Sequence, residues 1–445
     1  SAMNLTVFQS DKGDCLLLES ADKKHRVLVD GGVRRAYTEH VAPAMGALRK
    51  AKKRLDVVYV SHIDRDHIAG VLQLLDDEAA WRVHEHQVSN GNPGHKTPSA
   101  PRPPVVGAIF HNSFHDQVGK NSGDVQNMLA ATGTTLLASD SPALSALGLA
   151  RQEIAASVDD ALKVSQRIKK GQLNIPLNVP ADGKLMMVRD DLSPIKLGPL
   201  SLHIIGPFKA DVASLRTEWN TWLKAHQDIV KKVRAQAKVD STNMGAASVS
   251  ALLGPMLNAA ASLGREELAL AERLGIETAK KLGVRDEVTA PNLASLMFLA
   301  EEGGKTLLLT GDGHCDDILK GLAHHGRLDA NDSIHVGTLK VQHHGSEHNI
   351  NKKFCDHVTA DNYIFCGNGE HENPELDVIQ VIFDRRMAND TRKFKFWFSS
   401  SAAVSVSESG QAQMELVEER VAKLAKKSGG RLTNKFISGS QMKVL

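Results

Sequence analysis

Four side chains that bind metals or move protons arrive within six positions: His62, Asp64, Asp66 and His67. Two imidazoles and two carboxylates on one short stretch can converge on one or two divalent cations. A polar turn satisfied by water and helix capping is the plain alternative. Four such groups in six residues are dense for a turn, and matching groups return later in the chain. Asp312 stands between Gly311 and Gly313, and His343 and His344 precede Gly345 and Ser346. A bound cation in such a set makes hydroxide available from water at neutral pH, so the chemistry on offer is hydrolysis.

Strand ends must deliver these groups. Val57, Val58, Tyr59 and Val60 run up to the first cluster, and Ile68-Ala69-Gly70 leads into the helix-like Val71-Leu72-Gln73-Leu74-Leu75. That pattern predicts a strand, a tight loop and a helix start. Residues 306–310 form an apolar run that presents Asp312 among glycines, which suits a bridging carboxylate. Residues 335–341 predict the strand that ends at His343 and His344. Earlier, residues 5–9, 15–19 and 26–30 predict three short strands. The third closes in Leu28-Val29-Asp30-Gly31-Gly32, where glycines allow a close backbone approach. Later strands are expected at 105–110, 200–205, 295–300, 362–366 and 394–398. Helices are expected through Val41, Met45 and Leu48, over 151–170, from 317, and through Ile379 and Ile382. A tail from 399 predicts a charged helix over 415–427 and a strand-like end at 436–445.

Residues 90–104 are rich in Pro, Gly and Ser and read as loop. His84, His86, His111 and His115 lie in this region and read singly as surface or hydrogen-bonded histidines, His111 having the best case for more. Between strands, residues 208–290 predict a helical insertion. Val212, Leu215, Trp219, Trp222, Ile229 and Val233 recur three and four apart. Packing, a lid over the site and a contact between copies are its three readings.

The chain of 445 residues is 42% hydrophobic and 24% charged, the composition of a globular protein with a sizeable core. A net charge of +2 commits it to neither nucleic acid nor an anionic membrane. No apolar run reaches membrane-spanning length, and no basic-then-apolar signal pattern opens the sequence. The four cysteines, Cys15, Cys315, Cys355 and Cys366, form no CxxC pair and are expected to be reduced and packed. The expected location is the cytoplasm, without a membrane partner.

The stretch His62-Ile63-Asp64-Arg65-Asp66-His67 resembles the His-x-His-x-Asp-His loop of the metallo-β-lactamase superfamily, with Asp64 at the second histidine. Leu28-Val29-Asp30-Gly31-Gly32, Leu308-Leu309-Thr310-Gly311-Asp312 and His343-His344-Gly345-Ser346 follow in the superfamily's order. These, with the later Gly367-Asn368-x-x-His371-x-x-Pro374, are most similar to the corresponding domain of bacterial competence (DNA-uptake) proteins and their soluble relatives. The resemblance spans about residues 5–384 without the insertion. It implies an α/β class, αββα sandwich, in which residues 1–207 and 291–398 are two halves of one metallo-hydrolase domain, 208–290 the insertion and 399–445 an extension. It also implies one or two divalent ions, zinc or manganese. His62 and Asp64 would hold the first, Asp66, His67 and His343 the second, and Asp312 would bridge them. Asp30 would support from behind, and Asn292 stands where a histidine is expected. The first position thereby loses two imidazoles and becomes harder, favouring Mn²⁺ or Mg²⁺.

Asp66 would orient the attacking water, and His344 and His371 are candidates to protonate the leaving group. The reading placed first is hydrolysis of a phosphodiester, either a small molecule or nucleic acid, with a basic face expected near Arg65, Lys340 and Lys231, Lys232 and Arg234. An aromatic content of 4% argues against extended base-stacking platforms. The other readings are hydrolysis of another ester, lactone or amide, and a non-catalytic regulatory fold whose insertion mediates contact between copies.

Overall fold

The computed structural model describes residues 3–112, 156–157, 159–225, 227, 231 and 295–445. Asn292, His115 and most of residues 226–294 lie outside them. Two sheets stack face to face. The first holds β1 (Asn4–Phe8), β2 (Leu16–Glu19), β3 (Arg26–Val29), β4 (Leu55–Val60), β5 (Val106–His111) and β14 (Gln441–Lys443), in the order β14-β1-β2-β3-β4-β5. The second holds β6 (Ile195–Leu197), β7 (Leu200–Gly206), β8 (Met297–Glu302), β9 (Lys305–Leu309), β10 (Ile334–Lys340), β11 (Val358–Phe365), β12 (Phe394–Phe398) and β13 (Leu432–Phe436), in the order β13 through β6.

Strand alternation builds the layers. In β4, Val57 and Tyr59 enter the inter-sheet core with Phe298, Leu307 and Leu309. Val58 and Val60 face the other way and pack with Met45, Val71 and Leu74 of the outer helices. On the second sheet, Leu308, Leu339, Phe365 and Phe396 meet Ile318, Ile379, Phe383 and Val417 of helices Cys315–His324, Leu376–Asn389 and Glu408–Lys427. The result is helix, sheet, sheet, helix, the αββα order that the sequence predicts.

β3 runs parallel to β4, and β9 parallel to β10. Their carboxyl ends therefore open at one edge, where ligands commonly bind in α/β sheets. Glycines bring the connecting loops together there. Gly31 N–H donates to His67 O (2.8 Å) and Gly70 N–H to Gly32 O (2.9 Å). A Cβ on Gly70 would lie 2.0 Å from Gly31 O, and one on Gly13 would lie 1.8 Å from Asp66 O. Only glycine permits the start of helix Arg65–Ser89 to sit this close to the loops after β1 and β3.

β7 and β8, on either side of residues 207–296, pair antiparallel as neighbours. The tail departs from expectation. The predicted strand-like end at 436–445 resolves into β13 and β14, which join different sheets: β13 pairs with β12 and β14 with β1. These strands escape sequence patterning because each buries little. Leu432 is the one fully buried residue of β13, and Met442 that of β14. β6 and the short helix Lys352–His357 were also not predicted. All four cysteines are buried and unpaired with one another.

Candidate metal centre

His62 and His67 follow β4, Asp312 follows β9, and His343 and His344 follow β10. Their functional atoms meet. Asp312 is 1% exposed and divides its oxygens between them. Its Oδ1 lies 3.3 Å from His67 Nε2, and its Oδ2 lies 3.2 Å from His62 Nε2, 3.5 Å from His343 Nε2 and 3.7 Å from His344 Nε2. Asp66 Oδ2 stands 3.0 Å from His344 Nε2, and Asp64 Oδ2 stands 3.4 Å from His62 Nε2.

The other ring nitrogens fix where the protons are. The Asp30 carboxylate accepts from Ser61 N–H (2.7 Å), from the Ser61 hydroxyl (2.6 Å) and from His67 Nδ1 (2.8 Å). The single hydroxyl proton of Ser61 is thereby committed. Toward His62 Nδ1, 3.1 Å away, that oxygen can only accept. His344 Nδ1 donates to the Cys366 carbonyl (2.8 Å). Asn349 Nδ2 donates to the carbonyls of Asp312 (2.8 Å) and Gly313 (3.0 Å), so its Oδ1 faces His343 Nδ1 at 2.8 Å and accepts. In all four rings the Nδ1 proton is spoken for and the Nε2 lone pair points inward. Such outer hydrogen bonds set the tautomer of a metal-ligating histidine.

The inward lone pairs lack donors. His67 Nε2 and His344 Nε2 face one another at 3.4 Å. His62 Nε2 and Asp312 Oδ1 are buried and have no hydrogen-bond partner. Lone pairs and carboxylates in contact are stable only around positive charge, either a metal ion or added protons. Donor atoms of Asp14, His67, Asp312 and His344 lie within 4.8 Å of one another, as do those of His62, Asp66 and His67 and those of His62, Asp64 and Asp312. Nitrogen and oxygen donors in this proportion suit a divalent transition ion. The residues present fit such an ion.

Electrostatics agree. Burial and the neighbouring His62 pull the His67 imidazole down, but Asp312, Asp14 and Asp66 outweigh them and hold it at about 9. Burial likewise opposes charge on His62 and His344, and Asp312 raises both well above the ordinary imidazole range. Burial would raise Asp312, yet His343, His67, His62 and His344 hold it well below the usual carboxylate range. The pocket is negative enough to demand cations.

Not every expected residue joins the cluster. His371 is exposed on the turn Glu370–Glu372 and makes no described contact with it. Asn292 lies outside the described residues. Of the adjacent histidines, His344 is the one beside His67 and Asp66, while His343 approaches the other oxygen of Asp312. Lys340 corrects an expectation: it is not part of a basic face. It is 1% exposed, its ammonium paired with Asp14 and donating to Gly311 O (3.0 Å). Lys340 extends from a strand whose neighbours on both sides are buried, so its charge is spent inside. Of the other basic residues, Arg65 is engaged with Asp160 (3.2 Å), and Lys232 and Arg234 lie outside the described residues.

Sequence reasoning missed Asp14, Ser61 and Asn349. Asp14 is buried, lies 3.0 Å from His344 Nδ1 and is held at about 2, burial being outweighed by Lys340, His67 and His344. Its Asp11-Lys12-Gly13-Asp14 setting reads as an ordinary turn.

Residues 11–135 match the family model of the metallo-beta-lactamase superfamily. That segment carries Asp14, Asp30 and the whole His62–His67 loop. No curated protein matches the chain. The αββα sandwich with its edge cluster is the metallo-β-lactamase fold, whose members are mostly metal-dependent hydrolases and typically bind zinc. Among the described residues, no helix is long and apolar enough to cross a membrane.

Proposed function

We propose that the protein is a metal-dependent hydrolase that attacks its substrate with a metal-activated water, and that phosphodiesters, of nucleotide or nucleic-acid type, are its substrate class. The observation that carries the reading is the pair of Nε2 lone pairs of His67 and His344, 3.4 Å apart with both Nδ1 protons committed elsewhere. A divalent ion bound there lowers the pKa of its water from about 15.7 towards 7. Asp66 accepts the proton: His67 and His344 outweigh burial and keep it ionised, and it is the more accessible carboxylate of that group. Asp312, with one oxygen toward each half of the cluster, holds the two halves in register. Three carboxylates, Asp64, Asp66 and Asp312, support the phosphodiester preference, since hard oxygen donors suit the ions used in phosphoryl chemistry. The similarity of the His62–His67 loop and the His343–Ser346 turn to competence-protein domains supports it further.

The test is turnover of bis-p-nitrophenyl phosphate, single-stranded DNA and a lactone panel by Zn²⁺- or Mn²⁺-loaded protein, beside Asp66→Ala. Phosphodiester turnover that chelator and Asp66→Ala both abolish is expected. Turnover confined to the lactones would move the substrate class, and none at all would overturn the reading.

A further inference from the structure

We infer that His343 is a metal ligand of the first cation position, completing with His62, Asp64 and Asp312 a site as rich in imidazole as the second. The inference rests on the metal-dependent reading above, and changes its stoichiometry. By sequence, the first position has lost two imidazoles and would hold its ion weakly. The geometry returns one. His62 Nε2 lies 3.2 Å from Asp312 Oδ2 and 3.4 Å from Asp64 Oδ2, and His343 Nε2 approaches the same Asp312 oxygen at 3.5 Å. Donors about 2.0–2.2 Å from a shared tetrahedral ion stand roughly 3.3–3.6 Å apart, which these spacings match. His62 Nε2 is buried and without a hydrogen-bond partner, so the position already lacks a positive neighbour.

The backbone explains how two adjacent histidines serve two positions. His343 and His344 both adopt left-handed conformations, φ +46° and +56°. That costs about 1–2 kcal/mol per residue and persists only where surroundings enforce it. An extended strand would send adjacent side chains to opposite faces. Here the two rings stay on the same side, centroids 5.7 Å apart. His344 turns inward beside His67 and Asp66. His343, 27% exposed, closes the outer side of the cluster, its ring clamped by Asn349. The two positions then have like composition: His62, His343, Asp64 and Asp312 against His67, His344, Asp66 and Asp312.

The experiment is metal counting on the dialysed whole protein, with Zn²⁺ titration followed by calorimetry and Co²⁺ by absorption. Wild type should retain two equivalents. His343→Ala should keep one and bind the second at least 10-fold more weakly, the lower range for loss of support at a metal site. His343→Cys guards against a folding artefact: a thiolate at this position should produce a near-ultraviolet thiolate-to-cobalt charge-transfer band that wild type lacks. Two equivalents held unchanged by His343→Ala, or no such band from folded His343→Cys, would overturn the assignment. A protein that binds two ions as described yet hydrolyses nothing would sink the hydrolase reading alone. Hydrolysis with an unaltered metal count in His343→Ala would sink this one alone.

Discussion

Asp30 Oδ2 accepts a hydrogen bond from His67 Nδ1 at 2.8 Å, with both residues buried and Asp30 at φ +56°. The same carboxylate takes both donors of Ser61, so one side chain aligns His67 directly and His62 through the hydroxyl. Asp30→Asn keeps a residue that tolerates the left-handed backbone but replaces one acceptor oxygen with a donor. Metal affinity should fall 10–100-fold with a small change in melting temperature, measured by Zn²⁺ calorimetry and thermal unfolding. Unchanged affinity would show that Asp30 does not set the ring's orientation.

Lys340 and Asp14 form an ion pair in which each side chain is 1% exposed. Lys340→Met would leave a buried carboxylate without its partner. Loss of one partner of such a pair costs about 3–5 kcal/mol. A matching drop in the urea midpoint free energy is expected, and a loss below 1 kcal/mol would mean that Asp14 finds compensation elsewhere.

Gly70 faces Gly31 so closely that a Cβ would sit 2.0 Å from its carbonyl oxygen. The obstacle is backbone, which cannot swing aside. Gly70→Ala should push helix Arg65–Ser89 away from the Asp30 loop and cost about 1–3 kcal/mol, the range for overpacking. Metal affinity should fall with it, because the helix start carries Asp66 and His67. Stability and metal titrations on the same sample would reveal whether the two losses travel together.

Histidine 111 ends β5 fully buried, and neither ring nitrogen has a hydrogen-bond partner. Burial alone lowers it from 6.5 to about 4. The unfolded chain therefore binds a proton between those values that the folded one refuses. Stability should decline as pH falls from about 6.5 to 4 and be intact above. The shift corresponds to roughly 3 kcal/mol at full development. His111→Leu should flatten this slope, read from denaturation free energies at pH 7.5, 5.5 and 4.5. An equal slope in both proteins would assign the acid sensitivity elsewhere.

Much of the site could be read from residue order because its chemistry is concentrated. The His62–His67 loop, Asp312 and the His343-His344 pair each sit at the end of an apolar strand, and a parallel pairing gathers such ends at one edge. What sequence could not show were the long-range partners. Asp14 looks like turn polarity until Lys340 and His344 are found against it, some 330 residues away. Lys340 looks like surface charge until β10 proves buried. The division of labour between His343 and His344 was invisible because it depends on two consecutive left-handed residues, and side-chain alternation predicts the opposite. The strands of the tail were blurred for a simpler reason: with one fully buried residue apiece they carry almost no periodic signal.

β14 has a bearing on how the molecule is made. Residues 441–443 lie beside residues 6–8, so the first strand synthesised waits for nearly the last to leave the ribosome before its outer edge is covered. Contacts that bridge such a separation close late and slowly. Until then β1 presents an open row of amides and carbonyls to any other nascent chain, which makes translation, rather than the finished protein, the stage at which this fold is most exposed to mispairing.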